Sequence, residues 1–319
     1  MTLDVTTIIL TYNEELHIRR CLENVCPFSK KVYVIDSPST DHTVDICREF
    51  DNVEVVVHKY PGNQAAQFNW ALDNVAIDTE WILRVDADEY CEPELIREFE
   101  VKLPSISPNV SAVVVPIGRE FMGRRLKHGI VNGVYLTRLI RKTKCRYELR
   151  LMDEYLNILE GTTCKFEYAI VDASKISLCS FTDKHNNYSS REASILLDAE
   201  YGLSESSDNT KEEDIEYAKE VAAKRTQKAK YAKMPLFWRS FGYFVYRYIV
   251  KFGFLDGKEG FCWDFFQGLW YRMLVDAKVF QAKTWLKQNG FAIFENGRLN
   301  NECKQQLKNY IKTNWNISL

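Results

Sequence analysis

Two acids one residue apart close an apolar run in Trp81-Ile82-Leu83-Arg84-Val85-Asp86-Ala87-Asp88-Glu89. If that run continues as a strand, successive side chains alternate faces, so Asp86 and Asp88 share one side while Ala87 turns to the other. Carboxylates held so closely repel unless a cation sits between or beside them. At the carboxyl edge of parallel strands, where ligand crevices open, the occupant that answers this charge is a divalent metal carrying a diphosphate. The bland alternative is an acidic strand end or a helix cap, since Asp-x-Asp also arises by chance.

Two further apolar runs end in polar turns. Thr11-Tyr12-Asn13-Glu14 closes the first, and Asp36-Ser37-Pro38-Ser39-Thr40-Asp41 closes the second, with Asp41 also suited to cap the next helix. On one sheet these three endings form a hydrogen-bonding rim where a nucleotide could sit. No GxGxxG follows the first run and no GxxxxGK[ST] occurs, so a dinucleotide dehydrogenase and a P-loop NTPase both lack their phosphate cradle.

The elements that must position these residues are legible as alternating β-branched and amphipathic segments. Strands are expected at 6–10, 31–36, 53–58, 81–86 and 111–117, with helices at 16–25, 43–50, 65–74 and 93–103, the last opening on Glu92-Pro93. Four such crossovers predict a Rossmann-like, doubly wound α/β half. After Gly118 come Gly- and Arg-rich turns, one more β-like run at 134–140, and a stretch at 148–161 that periodicity leaves unresolved. Beyond Thr182 the pattern is helical, with an acidic run at 204–220 and a basic one at 224–233 that read as a solvated helix.

The chain has 319 residues, 46% of them hydrophobic, enough for one large or two modest cores. Lys and Arg total 42 against 44 Asp and Glu, a net charge of -2, so no overall field favours nucleic acid. The nine cysteines show neither a CxxC pair nor zinc-like spacing and read as reduced thiols of a cytosolic protein. The opening residues lack a basic n-region and meet acids early, which excludes a secretory signal as their reading. No window is free enough of charge for a spanning helix. Leu236 to Leu255 is nevertheless dense in aromatic rings. On a helix, Arg239, Tyr243, Arg247 and Lys251 make one basic stripe against an aromatic remainder, a pattern expected at a lipid headgroup boundary. The alternative is a helical hairpin packed on the catalytic domain or on a second copy of the chain, as in a homo-oligomer.

In order and spacing, Thr11-Tyr12-Asn13-Glu14, Asp36 with Ser39-Thr40-Asp41, Pro61 to Asn69 and Asp86-Ala87-Asp88-Glu89 resemble the family 2 glycosyltransferases of GT-A fold. Within them the chain looks like the bacterial branch that builds capsule, exopolysaccharide and lipopolysaccharide-core sugars. The likeness continues through Gly123-Arg124, Lys127-His128-Gly129, Leu136 to Ile140, Met152-Asp153-Glu154 and Lys184-His185-Asn186, and on to Phe280.

The resemblance implies an inverting transfer of a sugar from a nucleotide-diphosphate donor, UDP- or GDP-linked, to a hydroxyl of a lipid-linked glycan at the inner face of the cytoplasmic membrane. It implies a GT-A domain over 1–181, with a donor half to 118 and an acceptor half from 119, and a helical, aromatic-rich extension over 182–319. The donor falls to Thr11, Tyr12, Asn13, Glu14, Asp36, Gln67, Asn69, Asp86 and Ala87, with Asp86 and Asp88 holding Mn2+ or Mg2+. Single displacement needs a base for the acceptor proton. The matching place reads Asp153-Glu154, which points to Glu154 with Asp153 as understudy; the alternative is a surface acid beside Arg150. Many relatives carry a histidine ligand downstream of the base. Here Asp172 stands in its place, so the third metal ligand is either Asp172 or His185. Arg124, Lys127, His128 and Arg138 form the nearest basic cluster and could meet a diphosphate. A non-catalytic scaffold of the same fold is the competing function; a sugar-nucleotide pyrophosphorylase is disfavoured because Tyr12-Asn13-Glu14-Glu15 is not a Gly-rich phosphate loop.

Overall fold

The computed structural model describes residues 2–131, 133–149, 156–204, 216–291 and 299–319. The chain divides into two compact units, one of Met1–Ile176 with Ile215–Tyr217 and the other of Ser177–Asp214 with Ala218–Leu319.

The first unit follows the element order β1 (Leu3–Thr11), α1 (Ile18–Val25), β2 (Ser29–Asp36), α2 (Thr43–Cys47), β3 (Val53–Val57), α3 (Gln64–Asn74), β4 (Trp81–Arg84), β5 (Glu89–Cys91), α4 (Pro93–Lys102), β6 (Val110–Phe121), β7 (Arg124–Leu126), β8 (Tyr135–Ile140), β9 (Cys145–Tyr147), β10 (Leu156–Ile158), β11 (Thr162–Lys165) and β12 (Ile170–Asp172). The main sheet is ordered β3-β2-β1-β4-β8-β6-β12-β5, with β7 and β11 also on β6. β1 pairs in parallel with both β2 and β4. The chain therefore steps outward through β2 and β3 and then returns to the other side of β1. The carboxyl ends of β1 and β4 are the switch point where such sheets open a crevice.

Alternation along β1 explains how one strand serves two layers. Val5 and Ile9 enter a core with Ile18 and Leu22 of α1 and Leu95 and Phe99 of α4, whereas Ile8 faces Phe68 and Leu72 of α3. Asn63 starts α3 by accepting a hydrogen bond from the Ala66 amide at 2.9 Å, and Pro93 begins α4 where its missing N–H costs nothing.

Two features depart from the sequence-based expectation. The sheet is mixed, because β8 inserts antiparallel between β4 and β6. β4 also stops at Arg84, and the acids lie in a turn where the Glu89 amide donates to the Asp86 carbonyl at 2.9 Å. Strand alternation therefore does not place Asp86 and Asp88. The return strand β5, three residues long and antiparallel to β12, is too short to show periodicity.

The second unit is helical: α5 (Leu178–Tyr201), α6 (Glu216–Ala232), α7 (Trp238–Val245), α8 (Gly257–Trp263), α9 (Tyr271–Gln288) and α10 (Asn301–Trp315). Its core joins Leu197 of α5, Val275, Val279 and Leu286 of α9, and Leu307 and Ile311 of α10. A π-helical turn, Tyr246–Val250, extends α7, and another, Asp264–Trp270, joins α8 to α9. Among the described residues no helix is long and apolar enough to cross a membrane.

The expected basic stripe is corrected here. Arg239 and Arg247 are buried, each against an acid on a facing segment: Arg239 Nε meets Asp276 at 2.8 Å, and Arg247 Nε meets Asp264 at 2.8 Å. Only Lys251 of the three cations is exposed. The physical reason is that both acids sit inside this unit, and a buried carboxylate requires a paired cation. Gly253 allows the close approach, since a Cβ there would clash with the Asp264 carboxylate.

Asp276 also accepts from the Phe237 amide and the Ser240 hydroxyl, both at 2.8 Å. Asp276→Asn leaves the Arg239 guanidinium buried without its counter-charge, and a loss of roughly 3–5 kcal/mol in unfolding free energy is expected. Urea denaturation checks this, and a midpoint equal to the parent's contradicts it.

Candidate active site

A cleft of about 470 Å³ opens at the carboxyl edge of the first three strands, lined by Thr11, Tyr12 and Glu14 after β1, Ser37 and Pro38 after β2, Lys59 and Tyr60 after β3, and Gln64 and Gln67 of α3. This is within the usual range for small-molecule sites. Its walls are pre-organised. Asp36 is 1% exposed and accepts from Thr11 Oγ1 at 2.8 Å, Ser39 N at 2.8 Å and Ser39 Oγ at 2.6 Å, so its carboxylate ties the first two turns together. Asn13, left-handed at φ 56°, accepts from the Thr40 amide at 2.8 Å while its own amide donates to Ser39 Oγ at 2.9 Å. Tyr12 is left with its ring 62% exposed at the cleft.

Glu14 is oriented from behind. His17, 3% exposed, accepts the Lys175 amide at Nε2 over 2.9 Å, which leaves its proton on Nδ1 to donate to Glu14 Oε2 over 2.7 Å. Gln67 lines the cleft but is fully engaged, with Oε1 2.7 Å from His58 Nδ1 and Nε2 donating to the His58 carbonyl at 3.1 Å and to Ser37 at 3.3 Å. Asn69 is used elsewhere: it donates to the Tyr147 carbonyl at 2.9 Å and accepts the Tyr147 amide at 3.0 Å, pinning β9 to α3.

The acid turn lies beside this cleft and is linked to it through Arg84. Arg84 Nη2 donates to Gln64 Oε1 at 3.4 Å, and its Nε is 3.7 Å from Asp86. Its guanidinium carbon also stands 4.7 Å over the Tyr147 ring. From β8, Arg138 reaches Asp86 at 3.5 Å and pairs with buried Glu89. Burial pushes the Glu89 carboxyl up to about 7; Arg138 opposes that shift and the neighbouring Asp86 adds to it. Arg84 and Arg138 are thus both spent on Asp86 and Glu89. Among the described residues nothing pairs with the half-buried Asp88 carboxylate. Its backbone is clamped instead: Arg20 of α1 donates to the Asp88 and Ala173 carbonyls at 2.8 and 2.9 Å. Ala87 is buried, facing away as its small side chain permits.

This donor set fits a hard divalent cation that takes one or two carboxylates from protein and the rest from phosphate and water. A third protein ligand is not assembled: among the described residues no three His, Cys, Asp or Glu side chains gather as a metal-holding group. Asp172 is engaged by Arg119. His185 lies in the other unit on α5, its Nδ1 2.8 Å from the Phe181 carbonyl and its Nε2 2.5 Å from Gln267. Asp153 and Glu154 lie outside the described residues, in the sequence between β9 and β10, which pair antiparallel.

Lys59, Tyr60, Gln64, Arg84 and Arg20 are site residues that the sequence reading did not assign. Arg84 carried a signal, being the one charge inside an otherwise apolar strand, where burial demands a partner. Arg20 and Lys59 carried none, because each looks like an ordinary surface cation.

Strand order, mixed directions and a cleft at the carboxyl edge of β1, β2 and β3 define a GT-A fold. Residues 6–164 match the family described as Glycosyl transferase family 2, and the chain belongs to the family 2 glycosyltransferases. It is 34% identical over 127 residues to the SPbeta prophage-derived glycosyltransferase SunS of Bacillus subtilis, covering 37% of this chain and 28% of that one. An uncharacterized glycosyltransferase of Rickettsia typhi is 34% identical over 96 residues, covering 30% of this chain and 32% of that one. The chain thus matches only a minority of the length of these curated relatives. Among solved structures it is similar to S. aureus TarS 1–349 in complex with UDP, with TM-score 0.43, 17% identity and coverage of 94% and 96% of the two chains. The glucosyl-3-phosphoglycerate synthase of Mycobacterium tuberculosis with Mn2+, UDP and glucosyl-3-phosphoglycerate gives TM-score 0.40 and 10% identity over 60% of this chain and 78% of that one.

The exposed Tyr12 ring offers a stacking face for a nucleobase, a contact worth about 1–3 kcal/mol. Tyr12→Ala is therefore expected to weaken binding of a nucleoside diphosphate roughly 5- to 150-fold by titration calorimetry. An unchanged Kd contradicts that assignment.

Proposed function

We propose that the protein transfers a sugar, with inversion, from a UDP- or GDP-sugar to a hydroxyl of a lipid-linked glycan, in bacterial surface polysaccharide or lipopolysaccharide assembly at the inner face of the cytoplasmic membrane. The observation that carries the reading is the nucleotide-sized cleft, joined through Gln64 and Arg84 to the Asp86-Ala87-Asp88 turn, within a family 2 domain. In this reading Tyr12 and the Asn13 and Asp36 turns seat the nucleoside. Lys59 at the cleft mouth and the Arg84 side chain behind Gln64 favour the diphosphate by charge.

Mn2+ or Mg2+ held by Asp88 and Asp86 would supply neutralising charge for the departing diphosphate. The acceptor oxygen attacks the anomeric carbon as the bond from that carbon to the diphosphate oxygen breaks. The bonding pair leaves with the diphosphate, and the hydroxyl proton passes to Glu154, with Asp153 as the alternative base. Asn69 contributes indirectly, by fixing the end of β9 from which the chain runs on to these two acids. Asp172 would complete the metal site only if it releases Arg119.

A thermal-shift screen with UDP-, GDP-, dTDP- and CMP-sugars, with and without divalent metal, tests donor class and metal use together. One nucleotide class is expected to stabilise the protein, with the shift abolished by chelator. Glu154→Gln should then retain that shift while losing roughly 10²- to 10⁴-fold in turnover. Equal responses to all donors, or near-normal turnover of the variant, contradict the reading.

A further inference from the structure

We propose that the segment from Phe237 to Phe261 enters the lipid headgroup boundary as an apolar wedge whose attachment does not depend on anionic lipid; this rests on the reading that the acceptor is carried by lipid. The helical unit has its polarity reversed at this place. The stripe of α7 and its π-helical extension that carries Arg239 and Arg247 faces inward, where Asp276 and Asp264 neutralise it. The aromatic and aliphatic remainder faces outward: Trp238 is 75% exposed, Phe241 49%, Ile249 53%, Phe252 56% and Leu255 52%.

A helix that buries its cations and exposes its rings gains nothing from water on its outer side. Burial of charge is costly, and exposed apolar patches of this kind mark a contact surface. Successive ring contacts join its later part: Phe252 to Phe254 at 6.1 Å, Phe254 to Tyr248 at 6.2 Å and Tyr248 to Phe261 at 5.5 Å.

The charges around the patch choose the occupant. Lys233, Lys251 and Lys258 are exposed, whereas Asp256 and Asp264 are buried and Glu259 is half-buried. Exposed rings with a rim of ammonium groups suit the boundary between acyl chains and phosphate-bearing headgroups. A second copy of the chain is less suited, because an isologous pairing would set one lysine rim against another.

Co-sedimentation of the full chain with vesicles of phosphatidylcholine alone, and with added phosphatidylglycerol, tests this at about 0.15 M and about 0.5 M salt, where screening differs. Binding to both vesicle types is expected, with high salt removing only the increment due to the anionic lipid. The double variant Trp238→Ser with Phe241→Ser should lose at least about tenfold in partitioning. Its thermal shift with nucleotide should equal the parent's, which shows that the fold and donor site are intact. Failure of the parent to bind either vesicle, binding that appears only with anionic lipid at low salt, or equal binding by the double variant overturns the proposal. So does a stable dimer of the parent that the double variant dissociates. Vesicle binding together with efficient transfer to a water-soluble acceptor would sink the lipid-acceptor reading while leaving the wedge standing.

Discussion

Asp86, Asp88 and Glu89 share a short turn in which Arg84 and Arg138 engage Asp86 and Glu89, and no side chain among the described residues pairs with the Asp88 carboxylate. Glu89 and Arg138 form the buried half of this arrangement, so they fix the turn without contributing a surface charge. Asp86 is held between Arg84 and Arg138. Asp88 remains, placed by its backbone through Arg20 and half-open to the outside. Like charges at this spacing are tolerable when something positive joins them, and a cation accompanied by diphosphate meets that requirement with the fewest protein ligands. The rest of the first unit positions this turn: β1 and β4 form the switch point, α1 clamps it from one side, and α3 joins it to the neighbouring cleft.

How much of this was legible in the sequence depends on how local each feature is. β1, β2 and β3, with α3 and α4, show through because β-branched runs and capped amphipathic runs carry their own periodicity. Short β5, β7 and β9 do not, since three residues cannot display a period of two, and the partner of β5 is β12, far away in sequence. The acid motif was readable as chemistry but not as geometry, because the run was expected to continue as a strand where it turns. Asn69 is polar and stands in a motif of the resembled family, yet its bonds go to Tyr147, a partner that no local pattern reveals. Lys59 and Tyr60 line the cleft only because β3 ends beside α3.

The helical unit gives the same lesson with the sign reversed. Spacing of four correctly placed Arg239 and Arg247 on one face. Which way that face looks was beyond local pattern, since the deciding partners, Asp264 and Asp276, come from segments that follow. A cationic stripe assumed to face solvent becomes an internal lattice of ion pairs, and the aromatic face becomes the surface. The family 2 match ends at residue 164, before this unit begins, so its role has to be argued from its own physics.

The central claim is that the Asp88 carboxylate, which no side chain among the described residues engages, exists to hold a cation and, with it, a nucleoside diphosphate. Titration calorimetry of UDP and of GDP into the parent and into Asp88→Asn, each with Mn2+ and with chelator, measures that directly. The account predicts metal-dependent binding of one of the two nucleotides to the parent and a loss of at least about tenfold in the variant, the effect of removing one charged ligand. Metal-independent affinity, equal in both proteins, would contradict it.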